Sequence, residues 1–134
     1  MRADSRPLLR PDLLRVRRED EGDVAVLALE GELDLATLDE FVEATEPFAA
    51  GDALVVDTTA LDFMDSSGLR ELLRVHSALR PRLVVACGED GPIRRLFQVA
   101  GLEATLTIVA SRAAAIQAVR RVSRELDEPA TRSG

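Results

Sequence analysis

Two adjacent hydroxyls, Ser66 and Ser67, stand where an apolar run gives way to an amphipathic one. The first run, Ala53-Leu54-Val55-Val56-Asp57, reads as a buried strand, and Leu69 to about Arg80 reads as a helix. The turn between them, Leu61-Asp62-Phe63-Met64-Asp65-Ser66-Ser67-Gly68, then presents both hydroxyls at a helix N-terminus. Unpaired backbone N–H groups and the helix dipole favour an anion there. A serine in this place serves as a helix cap, or as the acceptor of a phosphate that the fold tolerates. Nucleophilic catalysis fits poorly. No Gly-x-Ser-x-Gly elbow surrounds Ser66. The sole histidine, His76, follows ten residues later on the same helix. At ~1.5 Å per residue that is roughly 15 Å along the axis, out of hydrogen-bond reach.

The remaining reactive residue types have plainer readings. His76 shares a helix face with Leu69, Leu72, Leu73 and Leu79, so it is expected to pack. Cys87 ends an apolar strand and reads as a small core residue. Arg70 lies four residues after Ser66, on the same face; it is either a solvated arginine or the partner of a phosphate. Arg94 and Arg95 are expected on the exposed side of a later helix. Asp34, Asp57, Asp62 and Asp65 are candidate metal ligands, but one histidine and no recognised ligand spacing argue against a metal site. Asp57, at a strand end, resembles the phosphoaccepting aspartate of a receiver domain. That chemistry needs a lysine, and the chain has none. The same lack excludes a P-loop lysine and a Schiff base.

These residues must be held by a scaffold, and 134 residues allow one domain with a real core. Apolar residues make up 46% of the chain, so it is globular. A net charge of −7 argues against nucleic acid, whose phosphates demand clustered cations, and weakly against anionic membranes. No apolar run reaches the ~20 residues of a membrane span. Residues 1–12 show no leader-like apolar stretch, and one cysteine makes no internal disulfide. A cytoplasmic location is expected.

Residues 1–12 read as a flexible arm. Leu13 to Arg18 and Val24 to Glu30 read as a hairpin around Glu19-Asp20-Glu21-Gly22-Asp23. Gly31-Glu32-Leu33-Asp34 is expected to break the second strand. Thr37 and Glu40 have the spacing of a capping box for a helix reaching about Ala49. Later elements are a strand at 83–87, a helix at 93–100, a strand at 105–109 and a last helix. That helix is capped by Ser111 and carries Ile116, Val119, Val122 and Leu126 on one stripe. Residues 127–134 read as a disordered tail. Strands alternating with helices imply an α/β domain with a largely parallel sheet.

With these elements in place, Leu54-Val55-Val56-Asp57 and Leu61 to Leu69 resemble the signature of STAS domains. Within that superfamily the resemblance is to bacterial anti-sigma factor antagonists. Gly31-Glu32-Leu33-Asp34 with Thr37, and Arg94-Arg95-Leu96-Phe97 with Gly101-Leu102, fit two further motifs of the family. The resemblance spans roughly residues 13–126. It implies a single STAS domain: a mostly parallel mixed sheet, an N-terminal hairpin and about four helices. It also implies a binding module without catalytic activity, cofactor or metal. Such an antagonist binds an anti-sigma factor and frees a sigma factor. The anti-sigma factor is a serine kinase with a histidine-kinase-like ATPase fold; it phosphorylates the antagonist, and a metal-dependent serine phosphatase reverses this. By position, Ser66 is the phosphoacceptor. Asp34 should lie beside it in the partner surface, and Asp65, Ser67 and Gly68 complete the turn. Arg70 stands where a small residue is common, which bears on partner fit. Two other STAS roles stay open: a subunit of a lipid-transport complex, and a signalling scaffold.

Overall fold

The structure, a computed structural model, describes residues 13–128. The expected arm at 1–12 and the tail from 129 onward lie outside the described residues.

Five strands form one sheet in the order β1-β2-β3-β4-β5. They are β1 (Leu14–Arg18), β2 (Ala25–Leu33), β3 (Leu54–Met64), β4 (Leu83–Ala86) and β5 (Ile108–Val109). The first two pair antiparallel, as a short hairpin turn requires; every later pairing is parallel. Four helices complete the fold: α1 (Leu38–Thr45), α2 (Ser66–Leu79), α3 (Pro92–Val99) and α4 (Arg112–Asp127). This is the expected α/β arrangement.

Alternation along the strands divides the core between two faces. Ala25, Leu27, Leu29, Leu54, Val56, Leu83 and Val85 pack with Phe41 of α1, Leu72, Val75 and Leu79 of α2, and Ile93 and Phe97 of α3. Val24, Val26, Val55, Val84 and Ala86 face the other way, onto Ala115, Ile116 and Val119 of α4. The central strands are therefore apolar on both sides because both sides are covered.

Several boundaries depart from the sequence reading. Gly31-Glu32-Leu33 does not break β2, which runs on to Leu33. Gly31 sits at φ 102°, and the register with β3 shifts on either side of it. This is a bulge, and a side chain at Gly31 would collide with the Leu13 carbonyl. β3 likewise continues to Met64, through a stretch read as a turn. Its second half pairs with the second half of β2, from Glu30↔Ala60 to Leu33↔Met64. The polar residues that suggested a strand end are satisfied in place. Thr58 donates to the Ala86 carbonyl at 2.8 Å, and Asp57 accepts from the Thr59 hydroxyl at 2.7 Å. α1 stops at Thr45 rather than near Ala49, because Pro47 cannot continue a helix. β5 is shorter than read. Leu126 is 51% exposed, off the buried stripe of α4. Asp127, read as the start of the tail, closes α4 and bonds Arg82 at 2.8 Å.

α4 is fastened to the sheet by charge as well as packing. Arg112 donates to Asp57 at 2.8 Å and to Glu19 at 2.6 Å. Asp57 is thus held in an ion pair that ties α4 to β3. Burial pushes its carboxyl up, but hydrogen bonds from the Thr59 hydroxyl and backbone, with Arg112, outweigh burial and hold it below the usual range. A depressed carboxyl contributes stability above its unfolded pKa and loses it as pH falls through the folded one. Wild-type stability should therefore drop below about pH 4, and Asp57→Asn should show a shallower acid limb in urea unfolding. Arg112→Met should cost about 2 kcal/mol at neutral pH, from the lost charged bond to Asp57.

Candidate functional site

The C-terminal ends of β2 and β3 lie side by side, Leu33 opposite Met64, and each strand leads directly into a turn. After β3, Asp65 takes an extended conformation and caps α2, its Oδ1 accepting from the Gly68 N–H at 3.0 Å. The helix thus starts at Ser66, three residues earlier than the apolar periodicity indicated. Ser66 occupies the first helical position and is exposed; Ser67 is half-buried. Gly68 and Leu69 already have acceptors, in Asp65 Oδ1 and the Asp65 carbonyl. The backbone N–H groups of Ser66 and Ser67 are left at the tip of the helix, where its dipole is positive.

The second turn is bound to the first. The Asp65 N–H donates to the Leu33 carbonyl at 3.1 Å, and the Leu35 N–H donates to Asp65 Oδ2 at 3.2 Å. Asp34 lies in the chain between those two anchors, so its loop is tied to the Ser66 turn. Its own carboxylate is partly committed: Oδ1 accepts from the Thr37 N–H, and the Thr37 hydroxyl accepts from the Asp34 N–H, both at 3.1 Å. The reciprocal pair is a capping box, but at Asp34 and Thr37 rather than at Thr37 and Glu40. Thr37, the cap residue of α1, makes no side-chain cap bond to the helix: its hydroxyl accepts from the Asp34 N–H and donates to the Glu32 carbonyl at 2.8 Å.

Close packing explains the glycine of the motif. A Cβ on Gly68 would stand 2.6 Å from Leu33 Cγ and 2.9 Å from the Leu33 carbonyl. Only a hydrogen lets α2 approach β2 this closely.

The other candidate residues have these surroundings. His76 is buried, and burial followed by the Arg80 charge lowers its pKa, so it is a neutral packing residue at pH 7. Cys87 is buried in the core. Asp62 is exposed. Arg70 is exposed and makes no ion pair among the described residues. Arg94 is not on the exposed side of α3: it donates to the carbonyls of Cys87 at 2.8 Å and Gly88 at 3.1 Å, pinning the loop before its own helix. Arg95 is exposed, as expected. No group of three metal-ligating side chains occurs among the described residues, and no helix there is long and apolar enough to cross a membrane. Leu35, 73% exposed beside Asp65, is a surface residue that no periodicity could single out; its signal was an apolar side chain inside a polar loop.

Residues 16–110 match the family model described as Mlab, STAS domain. The anti-sigma-F factor antagonist RsfB of Mycobacterium tuberculosis is 31% identical over 113 residues, 82% of this chain and 93% of that one. An anti-sigma-B factor antagonist of Listeria monocytogenes is 30% identical over 95 residues, covering 68% and 83%. Among solved structures, an anti-sigma factor antagonist from Mycobacterium paratuberculosis superposes with a TM-score of 0.75 at 29% identity, over 84% of this chain and 99% of that one. SpoIIAA of Bacillus, in its phosphorylated form, shares the fold with a TM-score of 0.54 at 21% identity, over 81% and 99%.

The contact at Gly68 yields a test of the site's construction. Alanine normally stabilises a helix interior by about 1 kcal/mol over glycine. Here Gly68→Ala should instead destabilise by about 1–3 kcal/mol, since backbone and side chain of Leu33 must both yield. Chemical denaturation reads the sign directly.

Proposed function

The chain belongs to the STAS domain family, and on that premise we propose that it acts as an anti-sigma factor antagonist switched at Ser66. The observation that carries the reading is its alignment with a named antagonist over 93% of that protein's length. The geometry of the Ser66 turn supports the rest. The protein works by binding, in the cytoplasm, and does no chemistry of its own. It holds an anti-sigma factor through the surface built from Asp34, Leu35, Asp65, Ser66, Ser67, Gly68 and Arg70. A sigma factor is thereby released. The anti-sigma factor, a serine kinase of histidine-kinase-like ATPase fold, phosphorylates Ser66, and a metal-dependent serine phosphatase restores it.

The physics of such a switch is local. A phosphate adds about −1.5 to −2 charges at pH 7. On the free antagonist those charges sit at the positive end of α2, in water, and cost little. In the complex they must be desolvated beside Asp34 and Asp65. About 4 kcal/mol of such penalty weakens binding roughly a thousandfold. Arg70, one turn along the same face, offers the phosphate a partner in the free state. No step requires the domain to refold.

Peptide mapping after treatment with the cognate kinase and ATP should place the phosphate on Ser66. Label on Ser67, which is half-buried, would overturn the assignment. Ser66→Ala and Ser66→Asp should melt within a few degrees of wild type, since the position is exposed. Ser66→Ala should keep its affinity for the anti-sigma factor and resist release. Ser66→Asp should bind more weakly, though less so than phosphoserine, because a carboxylate carries less charge. Equal affinities for the two variants would place Ser66 outside the interface.

A further inference from the structure

The end of the sheet opposite the Ser66 turn holds a cavity of about 510 Å³, between the C-terminal half of α4 and the turn that joins β1 to β2. All of β3 separates the two places: 11 residues, or roughly 33 Å at ~3.3 Å per residue. Val24 and Ala53 supply apolar lining. Arg120, Ser123 and Arg124 stand three and four residues apart on α4, so they share one wall. Ser123 Oγ is buried and has no hydrogen-bond partner among the described residues. Arg124 makes no ion pair there either. Arg120 is held in position: it donates to the Glu21 carbonyl at 3.1 Å, and its Nη2 would meet a Cβ on Gly22 at 3.2 Å. That single bond leaves four of its five N–H donors for other acceptors.

We propose that this cavity binds a small zwitterion, a compound with a carboxylate and an ammonium at opposite ends of a short apolar chain. Ser66 plays no part in it. A carboxylate matches the planar fork of a guanidinium and accepts from the Ser123 hydroxyl as well. That hydroxyl is a cost to the free protein and gains its bond in the complex. The charge of the lining selects a zwitterion over a plain anion. Arg82 already neutralises Asp127, which it bonds at 2.8 Å. Arg120 and Arg124 then stand against Asp23 and Glu128, and the sum is zero. A plain anion meets two carboxylates of its own sign, and a plain cation meets two guanidiniums. A molecule with both charges answers each in turn. The volume lies within the ~300–1,000 Å³ of small-molecule sites. Its charged walls belong to different elements, the helix and the hairpin turn, so the two charges of the ligand stand apart. The methylenes between them cover Val24 and Ala53.

6-Aminohexanoate is the probe, titrated into the full chain and followed by backbone amide shifts. Saturable shifts are expected at Asp23, Val24, Ala53 and Arg124. Hexanoate and hexylamine carry one charge each on the same chain and should bind at least tenfold more weakly. Arg124→Gln and Asp23→Asn should each raise Kd at least tenfold. Both positions are exposed, so the melting temperature should hold within a few degrees. Ser123→Ala should weaken binding while the free protein melts no lower than wild type, because the change removes a buried hydroxyl that had no partner. A lower melting temperature with unchanged affinity would make Ser123 a structural residue and overturn its role. Absence of saturable shifts with 6-aminohexanoate would overturn the site. Hexanoate binding as tightly as 6-aminohexanoate would make it a plain anion site and overturn the proposal, as would full affinity in both Arg124→Gln and Asp23→Asn.

Discussion

The carboxylate of Asp65 binds two turns that otherwise belong to different parts of the chain. One oxygen caps α2 through Gly68, the other holds the Leu35 N–H, and the Asp65 N–H reaches the Leu33 carbonyl. Hydrogen bonds to a charged group are worth about 1.5–3 kcal/mol each, more than a neutral pair. The loop at 34–37 and the first turn of α2 therefore form one rigid surface. Gly68 makes that surface possible, because a larger residue would push α2 off Leu33. A site built this way loses little ordering entropy on binding, and in the proposed switch a phosphate at Ser66 would change its charge without changing its shape.

The rest of the fold serves to hold the ends of β2 and β3 level. Both strands are buried on both faces along their first halves, between α1–α3 on one side and α4 on the other. Arg112 joins α4 to Asp57 in the middle of β3 and to Glu19 in the hairpin turn. The strands are consequently fixed well before they reach Met64 and Leu33, where the proposed surface begins.

The sequence made much of this legible where a residue acts through its neighbours in the chain. The hairpin, the parallel order and the Ser111 cap of α4 follow from local pattern, and Ser111 does accept from Ala114 at 3.1 Å. The Ser66 turn was visible for the same reason. What escaped is what depends on distant partners. The second halves of β2 and β3 look like loops alone and become strands only by pairing with each other. The reciprocal pair forms at Asp34 and Thr37 rather than at Thr37 and Glu40, with the Thr37 hydroxyl turned towards the Asp34 N–H and the Glu32 carbonyl. Helical position alone puts Arg94 in solvent, but two loop carbonyls hold it.

The central claim is that Ser66 controls binding through charge on a preformed surface. Backbone amide shifts, compared by NMR between the unmodified chain and the chain phosphorylated at Ser66, test it most directly. The account predicts changes confined to the 34–37 loop and the first two turns of α2, with the amides of Val55, Val84 and Val119 unmoved. Shift changes spreading through the sheet and α4 would contradict it, and would mean that the phosphate acts by rearranging the fold.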